Sequence, residues 1–390
     1  MPGRVRWVER RILAPIVGLV VLGIAGAARA QDADSGDAPR APAIHAFVSQ
    51  GAVKTTGNEY LVDNSKRGSF AFSEAGINFT SQLTDKLRVG IQLFAYQLGS
   101  LGNYQEKADF YYLDYHLKDS FGIRAGRVKL AYGLYNDVSD IDAARAQVLL
   151  PTSIYPPNNR NNLLAVNGAE IYGYVSLRRA GALEYRVFGG TVSLVIPSQV
   201  GSPTPISNAQ VPYLAGARLM WEAPVPGLRF GFSAVTLKLE ENAVLPTPPA
   251  LSAAAVLYAD VFSVEYAAHD LLLAAEYAQQ RVITTDNMPS LLPLSTIVSD
   301  GGYVLGAYHL TRWLEPAAYY SLYYTNVSDR SGREHMQHDL AGTIRFDLNN
   351  FWIVKLEAHF MHGTAIVADT TQATDPANWG LFLIKTTAYF

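Results

Sequence analysis

The chain has 390 residues, 31 of them basic and 34 acidic, a formal net charge of −3, no cysteine, and 23 tyrosines beside 16 phenylalanines. Without cysteine there is no disulfide framework and no thiol chemistry. The charge balance excludes a nucleic-acid binder, which would carry a basic excess.

Residues 1–30 read as a secretory signal. Arg4, Arg6, Arg10 and Arg11 precede an apolar stretch over 12–28, and Ala28-Arg29-Ala30 is a small-x-small cleavage site. The leader takes five arginines and one glutamate with it; 26 basic against 33 acidic residues then leaves a net charge of −7. Residues 31–42 form a short polar lead-in, too small for a domain or a plug. Beyond it no run of eighteen apolar residues occurs, so no membrane-spanning helix is expected. The abundance of tyrosine, phenylalanine and glycine favours strands and turns.

From residue 43 the spacing predicts sixteen alternating strands: 43–54, 69–80, 87–98, 109–118, 121–129, 169–178, 182–192, 212–222, 227–238, 256–267, 270–281, 301–310, 313–325, 337–347, 350–361 and 379–390. Each is about long enough to cross a bilayer when tilted. In 87–95, Leu87, Val89, Ile91, Leu93 and Ala95 oppose Arg88, Gly90 and Gln92; in 351–360, Trp352, Val354, Leu356, Ala358 and Phe360 oppose Lys355, Glu357 and His359. The connections alternate long and short in strict parity, from 55–68 (long) and 81–86 (short) to 348–349 (short) and 362–378 (long). Outer-membrane barrels combine short periplasmic turns with longer external loops, whereas a soluble sandwich has no reason to sort loop length by parity. The chain ends within a strand at Phe390, and an even strand count lets the sheet close without an open edge. The fold class is therefore all-β, a transmembrane antiparallel barrel over 43–390.

The longest connection, 130–168, follows the fifth strand. It holds Pro151, Pro156, Pro157, an asparagine-rich run over 158–162, and enough apolar residues (Val148, Leu149, Leu150, Ile154) to argue against a disordered linker. It is expected to fold inward and narrow the lumen. Arg124, Arg127 and Lys129 precede it, and Asp137, Asp140, Asp142, Arg145 and Arg160 lie within it. Arg124 has opposite parity to Arg127 and Lys129, which a bulge at Gly126 would reconcile. The three aspartates fit one side of a transverse field across the pore, local loop hydrogen bonding, or a Ca²⁺ site. Further inward-parity charges are Arg88, Asp114, His116, Glu170, Glu184, Arg186, Arg218, Arg229, Arg345, Lys355 and Glu357. Two HxxH pairs, His335/His338 and His359/His362, lack the context of a metal motif, and no GxSxG elbow occurs.

Over 43–390 the chain resembles the sixteen-stranded trimeric porins of Gram-negative outer membranes. The terminal Phe390 strand, the loop parity and the position of the longest loop carry the likeness, although Ala388 stands where a porin ending usually has an aromatic residue. The stretch GRVKLAYGLYND, 126–137, is similar to a segment of phosphate-selective and related substrate-specific porins. The resemblance implies a homotrimer in the outer membrane, in contact with lipid and lipopolysaccharide. Small hydrophilic solutes or ions would diffuse through it passively, with a lean towards anions and neither cofactor nor catalysis. The rival readings are a barrel enzyme acting on lipids and a structural or adhesion barrel whose lumen is plugged.

Overall fold

The computed structural model describes residues 42–99, 101–157, 160, 164–194, 206–243, 251–286, 295–367 and 376–390. The expected signal peptide, the lead-in up to residue 41 and most of the asparagine-rich run lie outside the described residues.

Sixteen strands follow one another: β1 (Ala43–Thr56), β2 (Ser69–Gln82), β3 (Leu87–Leu98), β4 (Lys107–Lys118), β5 (Phe121–Lys129), β6 (Ala165–Ser176), β7 (Ala182–Val192), β8 (Ile206–Glu222), β9 (Leu228–Ala243), β10 (Leu251–Ala268), β11 (Leu271–Asp286), β12 (Ser295–Tyr308), β13 (Leu314–Tyr324), β14 (Met336–Asn349), β15 (Trp352–Gly363) and β16 (Asn378–Tyr389). Every strand pairs antiparallel with its neighbours, and β1 pairs with β16, which closes the barrel. The alternation decides which way each side chain points. Phe262, Val304, Leu340, Phe360 and Phe382 are exposed on the outer face, while their sequence neighbours Val261, Tyr303, Asp339, His359 and Leu383 are buried. Trp221 stacks on Phe230 and Trp313 on Phe346 near the short turns, where an aromatic girdle meets the headgroups. A closed sheet with an apolar outside satisfies its whole backbone within lipid.

The expected strands are all present, with differences at their ends. β6 begins at Ala165, four residues before the expected start, because Leu164 already bonds back to the β5 exit through Leu130 N–H to Leu164 O. β8 to β11 run further on the long-loop side than apolar alternation foretold. Their extensions are held by polar pairs such as Lys238–Glu240 and Gln210–Glu240, which carry no signature of burial in lipid. No bulge falls at Gly126: β5 keeps regular register there with both neighbours, and its shift against β4 lies at the turn end, between His116 and Lys118. Gly126 has φ +131° instead, and a Cβ there would sit 2.4 Å from Tyr111 O. A second shift in β4, against β3, lies where Gln92 faces Phe110 and Leu93 faces Ala108. The extra residue is Asp109, only 4% exposed.

Candidate functional site

The chain leaves the wall at Leu130, residues 131–157 enter the bore, and the chain is back on the wall at Ala165. A buried loop must find partners for its backbone polar groups, and here the wall's charged side chains supply them by sign. Carboxylates take the loop's N–H groups. Glu276 on β11 accepts from Leu134 N–H at 2.9 Å, and Glu357 on β15 accepts from Val148 and Leu149 N–H at 2.7 and 2.9 Å. Cations take its carbonyls. Lys355 Nζ donates to Asp142 O, Arg145 O and Gln147 O at 2.7, 2.8 and 3.1 Å. Arg345 donates to Ala143 O and Arg145 O, Arg218 to Gly133 O, and Lys129 to Asp137 O.

The loop's own charges are taken up as well. Asp137 lies between Arg186 and Arg218, the latter at 3.0 Å. Asp140 accepts from Lys129 at 2.6 Å and from Gln92. Asp142 meets Lys355 at 3.1 Å, Lys385 at 3.3 Å and Thr387 Oγ1 at 2.8 Å. Arg145 reaches Asp142 only at 3.9 Å. Arg160 pairs with the bulged Asp109 at 2.5 Å, and its guanidinium lies 3.9 Å from the Phe94 ring centroid. The three aspartates thus take three separate sets of cations. They do not converge as a Ca²⁺ site would require, nor do they stand unpaired as one side of an open field. They fasten the loop.

Burial opposes ionisation of all three, yet the cations outweigh it. Arg186 and Arg218 hold the Asp137 carboxyl below the usual range, Lys129 and Arg160 do so for Asp140, and Lys355 and Lys385 for Asp142. A carboxyl whose folded pKa is depressed contributes stability that is complete above its unfolded value, about 4, and is lost as pH falls through the folded value. The near-ultraviolet circular dichroism of the loop's buried Tyr135 and Tyr155 should therefore hold from pH 8 down to about pH 4 and weaken only below it. A loss already complete at pH 6 would contradict these pairings.

Apolar packing acts on three sides. Val148 and Leu149 join Phe94, Met361 and Leu381; Leu150, Ile154 and Tyr155 join Val261, Tyr303 and Tyr319; Leu130 and Ala131 join Phe188 and Leu214. Each fully buried leucine or valine contributes about 1.5–3 kcal/mol.

Towards the short turns the bore carries a ladder of ion pairs. Arg88 and Arg124 share Asp114 at 2.6 and 3.2 Å, and Arg124 and Arg186 share Glu170 at 3.0 and 2.7 Å. Arg124 also stacks over Tyr172 at 4.2 Å. Glu184 pairs with Arg218, Arg229 with Glu265, and Arg345 with Asp347. Arg127 stands apart. It faces Tyr111 and Asn167 across the sheet, and Tyr111 is exposed on the outer side, so Arg127 lies on the face opposite Arg124. Lys129 shares that parity, but it is the last residue of β5, and its amine turns inward to Asp140.

Several anchors escaped sequence reasoning: Glu276, Tyr155, Asp109, Lys385, and the buried His359, which lies between Asp339 Oδ1 and Glu357 Oε1 at 3.0 Å each. Parity alone places Glu276, Asp339 and Lys385 inward. Nothing local distinguishes them from ordinary lumen charges.

No family model matches this chain, and no curated protein matches it in sequence. Solved structures do. A loop L8 deletion mutant of OmpT, an outer-membrane protein of Vibrio cholerae, superposes with TM-score 0.58 at 12% identity, over 91% of this chain and 100% of that one. OmpF of Salmonella typhi in complex with daunomycin gives 0.57 at 14%, over 90% and 97%. An anion-selective porin from Comamonas acidovorans gives 0.54 at 12%, over 90% and 99%. At such identities the likeness establishes the fold: a closed sixteen-stranded barrel of the outer-membrane porin type.

Proposed function

We propose that the protein is an outer-membrane channel for passive diffusion of small solutes, with segment 130–164 as its constriction. The observation that carries this reading is the division of the wall: apolar outside, charged inside, and with the inner charges spent on holding one loop in the bore. Lipid would contact the outer face, with lipopolysaccharide at the long-loop end. A homotrimer follows from likeness alone, since another OmpT structure of Vibrio cholerae is described as a trimer form.

A lean towards anions rests on exposure. At the short-turn mouth Arg88 and Arg229 are 38% and 39% exposed, while their partners Asp114 and Glu265 are 3% and 7% exposed. A passing solute meets the cations first, and the carboxylates lie behind them. Glu184, at 36%, offsets this in part. Charges within a few ångströms of the path should outweigh those on distant loops, which salt screens over about 8 Å.

Single-channel recording in a planar bilayer tests both parts. Discrete conductance steps are expected, with a reversal potential on the anion side that moves towards cations in Arg88→Gln/Arg229→Gln. Silence of the native chain, with steps only after the loop's anchors are removed, would identify a plugged structural barrel. Steps with an unchanged reversal potential in the double variant would remove the anion assignment.

A further inference from the structure

The long-loop end of the bore holds a cavity of about 820 Å³. Its wall is formed by lumen-facing positions of β9 to β11, where Val235, Leu237, Leu257, Ala259 and Ala278 line it. The same strands nearer the short turns carry Ser233, Ser263, Glu265 and Glu276 on the same face, all buried. Polarity therefore changes with height along single strands.

The floor is the constriction loop itself, with Tyr132 and Ile154, and the rim includes Leu61 and Ile366 from the β1–β2 and β15–β16 connections. Of its four charged neighbours, Glu59 accepts from Ser65 and from Lys66 N–H and Asp300 accepts from Tyr277 and Arg330, while Asp63 and Lys66 are exposed at the rim. Tyr132, Gln280 and Tyr323 also border the cavity, and no side-chain hydrogen bond ties any of them to another described residue. A water-filled mouth gains nothing from an apolar wall, since apolar surface left in water forgoes about 25 cal/mol per Å². A concave, mainly apolar site with a few free polar groups is the form of a small-molecule site.

We infer that this cavity binds a small apolar-bodied solute, an aromatic or branched aliphatic compound bearing one or two hydrogen-bonding groups, above the constriction. The apolar body lies against Val235, Leu237 and Leu257, and its polar group meets Tyr132 or Tyr323. The inference deepens the channel reading by naming a solute class, but binding itself needs no conduction.

The full chain in lipid nanodiscs, dialysed to equilibrium against 4-nitrobenzyl alcohol with empty nanodiscs as the blank, tests it. Saturable binding is expected, with glucose not bound. Val235→Asn/Leu257→Asn should weaken binding about tenfold or more, as polar groups left unpaired against an apolar body do, while Gln280→Leu should leave it equal or tighter. If the double variant does not assemble, as judged by heat-modifiable migration, Gln280→Leu alone decides. Equal uptake by empty nanodiscs, binding of glucose to the same extent, or weaker binding in Gln280→Leu overturns the inference. Bilayer recording on the same preparations separates the two readings. Conductance without binding removes the solute class and keeps the channel, and binding without conductance does the reverse.

Discussion

Replacing Glu357 by leucine is expected to release the middle of the constriction loop, at a cost of about 3–5 kcal/mol to the packed conformation. In the native chain this one carboxylate accepts from Val148 N–H, Leu149 N–H, Thr343 Oγ1 and His359 Nε2. Leucine would strand two backbone donors at positions with 0% and 5% exposure and leave His359 with Asp339 alone. Each buried group left unpaired forfeits its own hydration as well as its bond. The readout is tryptic cleavage after Arg145, whose carbonyl is gripped by Lys355 and Arg345 and whose side chain is 10% exposed. Rapid cleavage in Glu357→Leu and slower cleavage in Glu357→Gln, whose amide oxygen still accepts, are expected. An Arg145 bond equally resistant in all three chains would show that the loop does not depend on this anchor.

The second large effect concerns Gly133, at the other end of the loop. It has φ +58°, gives its N–H to Ser233 Oγ at 3.0 Å and receives Arg218 on its carbonyl. A Cβ there would lie 2.2 Å from the Tyr155 hydroxyl and 2.8 Å from Glu276 Oε1. Those two groups bond each other, and both accept from Leu134 N–H. Gly133→Val therefore adds a β-branched residue in left-handed backbone, about 1–3 kcal/mol, and breaks apart the junction that fastens residues 133–135. Gly332→Val is the control. It too has positive φ, +85°, but its nearest atoms belong to the exposed Glu334 side chain. Early loss of tyrosine ellipticity on heating is expected for Gly133→Val, and near-native behaviour for Gly332→Val. Equal behaviour of the two would reduce the effect to backbone strain.

The wall was legible because lipid on one side and water or a loop on the other impose a two-residue period on every strand, and because loop length sorts by side. Strand ends were less so: once β8 to β11 pass beyond the lipid, their side chains no longer alternate in polarity. The site was half legible. Alternation put Arg88, Asp114, Glu170, Arg186, Arg218, Arg345, Lys355 and Glu357 on one face, and in the structure these side chains bond one another or the loop. What parity cannot reveal is which of these charges meets the loop's backbone, because that depends on the path of some thirty irregular residues. Asp137, Asp140 and Asp142 invited a reading as an exposed acidic row. Their partners lie up to 245 positions away, as Thr387 does from Asp142, where no local pattern points. Asp109 turns inward through a bulge that no breaker residue announces.

The seam between β1 and β16 has a consequence for biogenesis. Ser49 meets Thr387 across 338 positions of sequence, and Ala46 exchanges two backbone bonds with Phe390. Contacts so remote form slowly, since the intervening chain must be ordered before they are gained. The grips on residues 142–149 come from Arg345, Lys355, Glu357, Lys385 and Thr387, all in β14 to β16. The constriction loop is thus synthesised long before the strands that hold its middle, and Val148 and Leu149 lack Met361 and Leu381 beside them until the final hairpin arrives. A nascent barrel of this kind has its most aggregation-prone stretch at the point where its aperture is set last.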